Sequence, residues 1–234
     1  MAKKHGVLFH TDAVQAIGHV NIDVQAQQID MLSMSGHKFH APKGIGALYV
    51  RQGVRLQQLM QGGAQERGQR PGTENLAGIV GIGKAIELAT QDIEGRAARM
   101  SAIRDHMIGR IMKEIPYVQL NGHPVKRMCG NVNLSFYFIE SESILIHLDQ
   151  RGIAASSGSA CTSGSLDPSH VLLAIGVSHE HANGSLRLSL CEENTMEEAD
   201  YVVDSLVEIV AKLRSMSPLY SDFLKGVETV GTDD

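Results

Sequence analysis

The sequence predicts an α/β fold, with a second half that reads as α+β. Three observations carry this. Short apolar runs separated by brief Gly- and Pro-bounded connections fill residues 6–50. Helical periodicity is sustained from about 75 to 115, and strand-like and helix-like segments then alternate to a long amphipathic helix near residue 216.

In order, Gly6–Thr11 reads as a short buried strand ending at Asp12, followed by a helical turn over 12–18 with Gly18 as its stop. Ile22, Val24 and Ile29 belong to a linking element. Asp30–Ser35 and Gly44–Val50 are further strands, and Arg51-Gln52-Gly53 is a turn. Residues 61–75 form a long polar, Gly-rich loop, of the kind that is usually functional or disordered. Two helices follow, Asn75–Ala89 and Ile93–Ile115, the second exposing Glu94, Arg96, Arg99, Arg104, Asp105 and Lys113. A domain boundary is expected in or just after 85–94, with a helix running across it. The expected layout is therefore 1–90, 91–216 and a surface tail over 217–234.

In the second half, Asn131–Ile139 alternates as a strand and Ser141–Gln150 is a helix capped by Ser141 or Ser143. Ile153–Ala155 is a short strand, Val171–Ile175 a short helix, and Leu186–Leu190 another strand. The helix from Thr195 to about Met216 opens on a capping box, Thr195 with Glu198. Its apolar stripe is Val202, Val203, Leu206, Ile209, Val210 and Leu213.

Composition excludes several functions. The 234 residues carry a net charge of −5, with five Phe and five Tyr and no Lys/Arg block, which argues against a nucleic-acid surface. No apolar run approaches the roughly 20 residues that span a bilayer, and residues 1–6 lack a secretory apolar segment. The three cysteines, Cys129, Cys161 and Cys191, are widely spaced without a CxxC, which fits a reduced, cytoplasmic location better than a disulfide framework.

Four clusters carry chemistry. Lys38, in Ser35-Gly36-His37-Lys38, stands where a strand gives way to a loop. Burial there would favour the neutral amine that condenses with an aldehyde, although most loop lysines are solvated surface residues. Ser35 and His37 beside it suit a phosphate. Asp12 reads either as a cap of the following turn or as a partner for a positively charged ring nitrogen. Around Cys161, ten of the eleven residues 155–165 are small non-thiol types, so a reactive thiol on a mobile loop and a structural one are both open. Arg187, alternating with apolar neighbours, either faces outward or aims a bidentate fork at a carboxylate. His179-Glu180-His181 reads as a solvated turn rather than a metal site, and no metal is expected. Cys129 and Cys191 read as structural.

The pieces His10-Thr11-Asp12-Ala13-Val14-Gln15, Ser35-Gly36-His37-Lys38, Pro42–Tyr49, Gly62-Gly63 with Gln65–Gly68, Arg70-Pro71-Gly72-Thr73 and Ser156–Cys161 occur in one order over nearly the whole chain. Together they resemble the NifS/IscS-like cysteine desulfurases, fold-type I pyridoxal-phosphate (PLP) enzymes of the class-V aminotransferase family. The resemblance implies the C-terminal part of a fold-type I large domain followed by a smaller α+β domain. It implies that Lys38 links to PLP and later moves the substrate α-proton, that Asp12 pairs with the ring nitrogen, and that Gln15 bonds the ring phenolic oxygen. Ser35 and His37 would hold the phosphate, with Thr73 reaching the phosphate of a neighbouring subunit in a homodimer. Arg187 would clamp the carboxylate of L-cysteine. Cys161 would take the sulfur as a persulfide, leaving alanine, and pass it to an iron–sulfur scaffold or another acceptor.

The family's N-terminal segment, with a phosphate-binding turn, a stacking histidine and an asparagine, has no counterpart here. The resemblance thus implies weak PLP binding and poor turnover by this chain alone. Two other readings are weighed: a selenocysteine lyase or aminotransferase relative, and a non-catalytic fragment docking a scaffold. Cys161 argues against an aminotransferase, since transamination needs no thiol.

Overall fold

The computed structural model describes residues 1–157 and 168–226. The chain divides into two compact units, Met1–Ala97 and Ala98–Asp234. No helix among the described residues is long and apolar enough to cross a membrane.

The first unit is built on a three-stranded sheet of β1 (His10–Asp12), β2 (Met31–Ser35) and β3 (Gly46–Val50), in the order β1-β2-β3. β1 and β2 are parallel, with Asp12 opposite Ser33, whereas β2 and β3 are antiparallel, with Ser35 opposite Gly46. Directly paired residues share a face of the sheet. Leu32 therefore points into the core with Ala13, Ile17, Ile29, Phe39, Ala41 and Ala89. His10, Asp12, Ser33 and Ser35 share the opposite face. Helix α1 (Leu76–Ala89) starts at Asn75, whose side chain accepts from the Gly78 N–H, and packs against the short 3-10 turn Gly36–Phe39.

Strand β1 departs from expectation. Pairing begins only at His10, and Val7, Leu8 and Phe9 are exposed rather than buried. The cause is position: among the described residues β1 is an edge strand with one neighbour. Phe9 is nonetheless held, its carbonyl accepting from the Asp30 and Met31 N–H groups and its own N–H donating to the Asp30 carboxylate at 2.8 Å.

The second unit holds an antiparallel sheet of β4 (Val118–Leu120), β5 (Asn131–Phe136), β6 (Ser156–Ser157) and β7 (Ser185–Ser189), in the order β4-β5-β7-β6. Val132, Leu134 and Phe136 alternate along β5 and are fully buried, as the two-residue period requires. They form one core with Leu186 and Leu188 of β7 and with apolar faces of three helices. These are α2 (Ile93–Glu114), α3 (Ser141–Asp149) and α6 (Met196–Ser215). The small helices α4 (His170–Ala174), α5 (His179–Asn183) and α7 (Pro218–Leu224) complete the unit.

Helix α6 opens as its capping box predicts. Thr195 accepts from the Glu198 N–H and Glu198 accepts from the Thr195 N–H, both at 3.2 Å. Its last turn carries Arg214, buried with no carboxylate partner among the described residues. The guanidinium instead donates to the carbonyls of Pro116, Tyr117 and Tyr137 and lies against the Tyr117 and Tyr220 rings. Burial pushes its pKa down from the usual arginine value.

Other sequence expectations are corrected here. The Asn131 strand stops at Phe136 because Phe138 takes a left-handed conformation, φ 69°. Pairing with β7 falls on Ser156–Ser157 rather than 153–155, and Ile153 turns into the core. Helix α3 begins after Glu140 with no side-chain cap, and Ser141 is buried as its first residue. Arg104 is buried, not exposed, because its guanidinium serves the Met128 carbonyl at 3.0 Å. His179-Glu180-His181 lies on α5, where Ser178 accepts from the His181 N–H and the His181 ring stacks on Tyr137 at 3.7 Å. Within 217–234, residues 218–224 form α7, capped by Ser217, with none of them buried.

Candidate functional site

The candidate site grows from the parallel pairing of β1 and β2. Both strands end at the same edge of the sheet, the position where open α/β sheets bind ligands. Asp12 closes β1 and Ser35 closes β2, on one face, with Ser33 between them in register. The Asp12 carboxylate accepts from the Val14 N–H at 2.9 Å through one oxygen, Oδ1. The contact is an Asx-type turn onto residue 14 rather than a helix cap, since turns and no helix follow β1, and Oδ2 accepts no hydrogen bond among the described residues. Gln15 is exposed in the turn that follows.

Immediately after β2 the chain tightens into the turn Gly36–Phe39, which carries His37 and Lys38. Gly36 is required there, since a Cβ would stand 2.8 Å from the Ala41 Cβ and 3.1 Å from the Ile45 side chain. The Gly36 N–H donates to the Ile45 carbonyl and the Ala41 N–H to the Gly36 carbonyl, so the loop folds back on itself. Ser35 Oγ and His37 Nδ1 are 2.8 Å apart, which gives a hydroxyl and an imidazole fixed as a pair. Lys38 makes no hydrogen bond or ion pair among the described residues, and it is exposed. This corrects the expectation of burial. On the sheet face beside Lys38, His10 and Asp12 are exposed and Ser33 and Ser35 are half-buried.

Sequence reasoning missed one pair on this face. His10 Nε2 lies 2.8 Å from Ser33 Oγ, next to Asp12 in register. The signal was the alternation Met31, Ser33, Ser35, which places two hydroxyls on one side of β2.

Thr73 is exposed in the stretch that enters α1, and no hydrogen bond joins it to the strand-end group among the described residues. Arg187 belongs to the second unit. It sits on β7 between Asn133 of β5 and Ser156 of β6, on the face opposite buried Leu186 and Leu188. Its Nε is buried and without a hydrogen-bond partner among the described residues. A buried, unpartnered donor on a guanidinium is a binding capacity that a carboxylate would satisfy. Cys161 lies outside the described residues.

The donor set at the β1 and β2 ends comprises one carboxylate, one amine and a hydroxyl–imidazole pair. It is matched to a ligand with a cationic ring atom, an aldehyde and a phosphate, and these are the functional groups of PLP.

Comparison with known proteins places the chain independently. Residues 1–202 match the family model of class-V aminotransferases. A cysteine desulfurase IscS of Clostridium botulinum (strain Hall) is 54% identical over 230 residues, covering 97% of this chain and 58% of that protein. The X-ray structure of a NifS-like protein from Rickettsia africae superposes with a TM-score of 0.82 at 30% identity, over 90% of this chain and 55% of that one. SspA in complex with cysteine superposes with a TM-score of 0.64 at 35% identity, over 83% and 53%. The chain thus spans little more than half the length of the relatives it matches.

Proposed function

Because this chain belongs to the class-V aminotransferase family, we propose that it carries catalytic residues of a PLP-dependent cysteine desulfurase. The observation that carries the reading is the convergence of Asp12, Ser35, His37 and Lys38 at the shared end of β1 and β2. The names of the relatives support it, and one solved relative, SspA, is described in complex with cysteine.

When bound, PLP supplies an electron sink for charge developing at the substrate α-carbon. The chain's own residues do the rest. The Asp12 carboxylate keeps a proton on the ring nitrogen, using the oxygen that Val14 leaves available. Ser35 and His37 donate to the phosphate, and Gln15 to the ring phenolic oxygen. Lys38 would be the residue that holds the cofactor through its aldehyde and the base for the substrate α-proton, and its exposure leaves the amine accessible for both. Arg187 grips the carboxylate of L-cysteine through the donor that is now unpartnered. The Cys161 thiolate attacks the substrate sulfur. A sulfur–sulfur bond would form as the carbon–sulfur bond breaks, the bonding pair passing to the substrate β-carbon, which takes up a proton, so that alanine and a Cys161 persulfide remain. In a homodimer, Thr73 reaches the neighbouring subunit's phosphate. The persulfide passes to an iron–sulfur scaffold or another acceptor, in the reduced setting of the cytoplasm.

Absorbance of the PLP adduct before and after cysteine, with alanine measured, tests this reading. The chain alone should give a weak band that Lys38→Ala removes, and little alanine. A band of equal strength in Lys38→Ala would sink the assignment of Lys38. Full occupancy with sustained turnover would overturn the expectation of weak binding. Loss of all PLP binding, with capture of an iron–sulfur scaffold retained, would favour the interaction-module reading instead. The exposure of the strand-end residues is the observation on its side.

A further inference from the structure

The antiparallel ladder of β5 and β7 sets Asn131 opposite Ser189. It continues one step beyond the strands, where the Leu190 N–H donates to the Gly130 carbonyl at 2.9 Å. The two backbones are tightly apposed at that step: a Cβ on Gly130 would stand 2.5 Å from the Leu190 carbonyl oxygen. The next residue on each side is a cysteine, Cys129 and Cys191. Cα atoms opposed at a ladder step stand about 4.5–5.5 Å apart. Cys129 and Cys191 are each one residue beyond the Gly130–Leu190 step, Cys129 within the turn that the Asn131 N–H closes on the Met128 carbonyl. A disulfide needs a Cα separation of roughly 4.4–6.8 Å.

Both are free thiols, Cys129 buried and Cys191 half-buried. Their backbones are fixed. The Asn131 N–H returns to the Met128 carbonyl around Cys129, and the Cys191 N–H donates to Asn194 Oδ1 at 2.9 Å. A second observation brings the two segments together. Burial pushes the Cys129 thiol pKa up, and the Glu192 carboxylate, from the residue after Cys191, is near enough to push in the same direction.

We propose that Cys129 and Cys191 are a redox-active pair that closes into an intrachain disulfide when a small-molecule disulfide such as oxidised glutathione is present. This pair is separate from the sulfur-accepting Cys161. The more accessible Cys191 sulfur, as thiolate, attacks one sulfur of the oxidant, whose sulfur–sulfur bond breaks and releases one thiol. Cys129 then loses its proton and attacks the Cys191 sulfur, displacing the second thiol. Two protein thiols are oxidised, the oxidant is reduced to two thiols, and the two protons leave with them. The product staples β5 to β7 at the end of their ladder. It encloses Arg187 and the Cys161 segment in one covalent loop.

Peptide mapping tests this directly, because trypsin places each cysteine in its own peptide: 128–151, 152–187 and 188–212. The native chain is treated with oxidised glutathione, remaining thiols are blocked, and the digest is analysed without reduction. The expected product is 128–151 joined to 188–212 with loss of two hydrogens, in a chain of monomer mass. Titratable thiols should fall from three to one, and reductant should restore them. Cys161→Ser should leave the link in place, and Cys191→Ser should abolish it. Any other pattern overturns the proposal: Cys129 and Cys191 both free, each carrying glutathione separately, linked through Cys161, or joined only between molecules. If a variant fails to fold, the native peptide map still decides. The readout is independent of PLP and of desulfuration.

Discussion

The two units of this chain differ in how completely they bury themselves. In the second unit, Val132, Leu134, Phe136, Ile144, Leu148, Leu186 and Leu206 have no exposed surface, and they come from two strands and two helices. The first unit has a smaller core, three of whose seven buried members are alanines. It leaves Leu8 54%, Leu48 49%, Leu76 71% and Val80 64% exposed. Yet the first unit holds Asp12, Ser35, His37 and Lys38. The more fully buried unit is thus not the one whose strand ends carry the Asp12, Ser35, His37 and Lys38 cluster, although it contributes Arg187 on β7. A site built at strand ends needs an open edge, whereas a sheet covered by three helices has no such edge among its central strands.

Two core truncations should sharpen that contrast. Phe136→Ala removes a fully buried ring from the centre of β5 and should cost about 3–5 kcal/mol. Leu32→Ala in the first unit should cost about 2 kcal/mol, the low end of the usual range, because its smaller and more open surroundings can relax into the space. Denaturant unfolding gives the totals, and peptide-resolved hydrogen exchange assigns them to units. Equal costs, or slower exchange in β2 than in β5, would break the comparison. A smaller effect belongs to the start of α6. Thr195→Ala deletes one half of the capping box and should cost about 1 kcal/mol. Exchange should accelerate over the first turn of α6 while β1 to β3 are unchanged.

How much of this was legible in the sequence depends on the range over which each signal acts. The alternation of Val132, Leu134 and Phe136 and the Thr195–Glu198 box are local, and the structure follows them. Motifs at strand ends were legible too, because Asp12 and Ser35-Gly36-His37-Lys38 each follow an apolar run. Features decided by distant partners were not. β4 has only three residues and is defined by its pairing with β5. Arg104 looked like a solvated helix charge, but its place is set by carbonyls 23 and 24 residues away. The exposure of Lys38 likewise follows from what covers the sheet, which no local pattern encodes. That Cys129 and Cys191 each lie two residues beyond the last paired residues of β5 and β7 appears only once the register of those strands is known.

The smallest expected effect is electrostatic, and it acts on both units. In the first, Asp30 receives the Phe9 N–H and the Arg51 side chain, which hold its carboxyl below the ordinary aspartate value of 3.8. In the second, His106 and Arg110 do the same for Asp200, and Arg110 does so for Glu114. A carboxyl lowered on folding contributes stability that is fully present above its unfolded pKa and is lost as pH falls through the folded one. Stability from these groups should therefore be level from neutral pH down to the ordinary carboxyl range and decline below it. The consequence should differ between the units. Asp30 ties Phe9, at the edge of the sheet, to β2 and to Arg51 just beyond β3, where there is little buried surface to compensate. Asp200 joins α6 to α2 over a large core, and its exposed pairs add little. Acid titration followed by hydrogen exchange should thus open β1 before α6, and Asp30→Asn should flatten the response of β1 to acid. If Asp200→Asn flattens the β1 response and Asp30→Asn leaves it intact, the first unit is not the acid-sensitive one and the contrast fails.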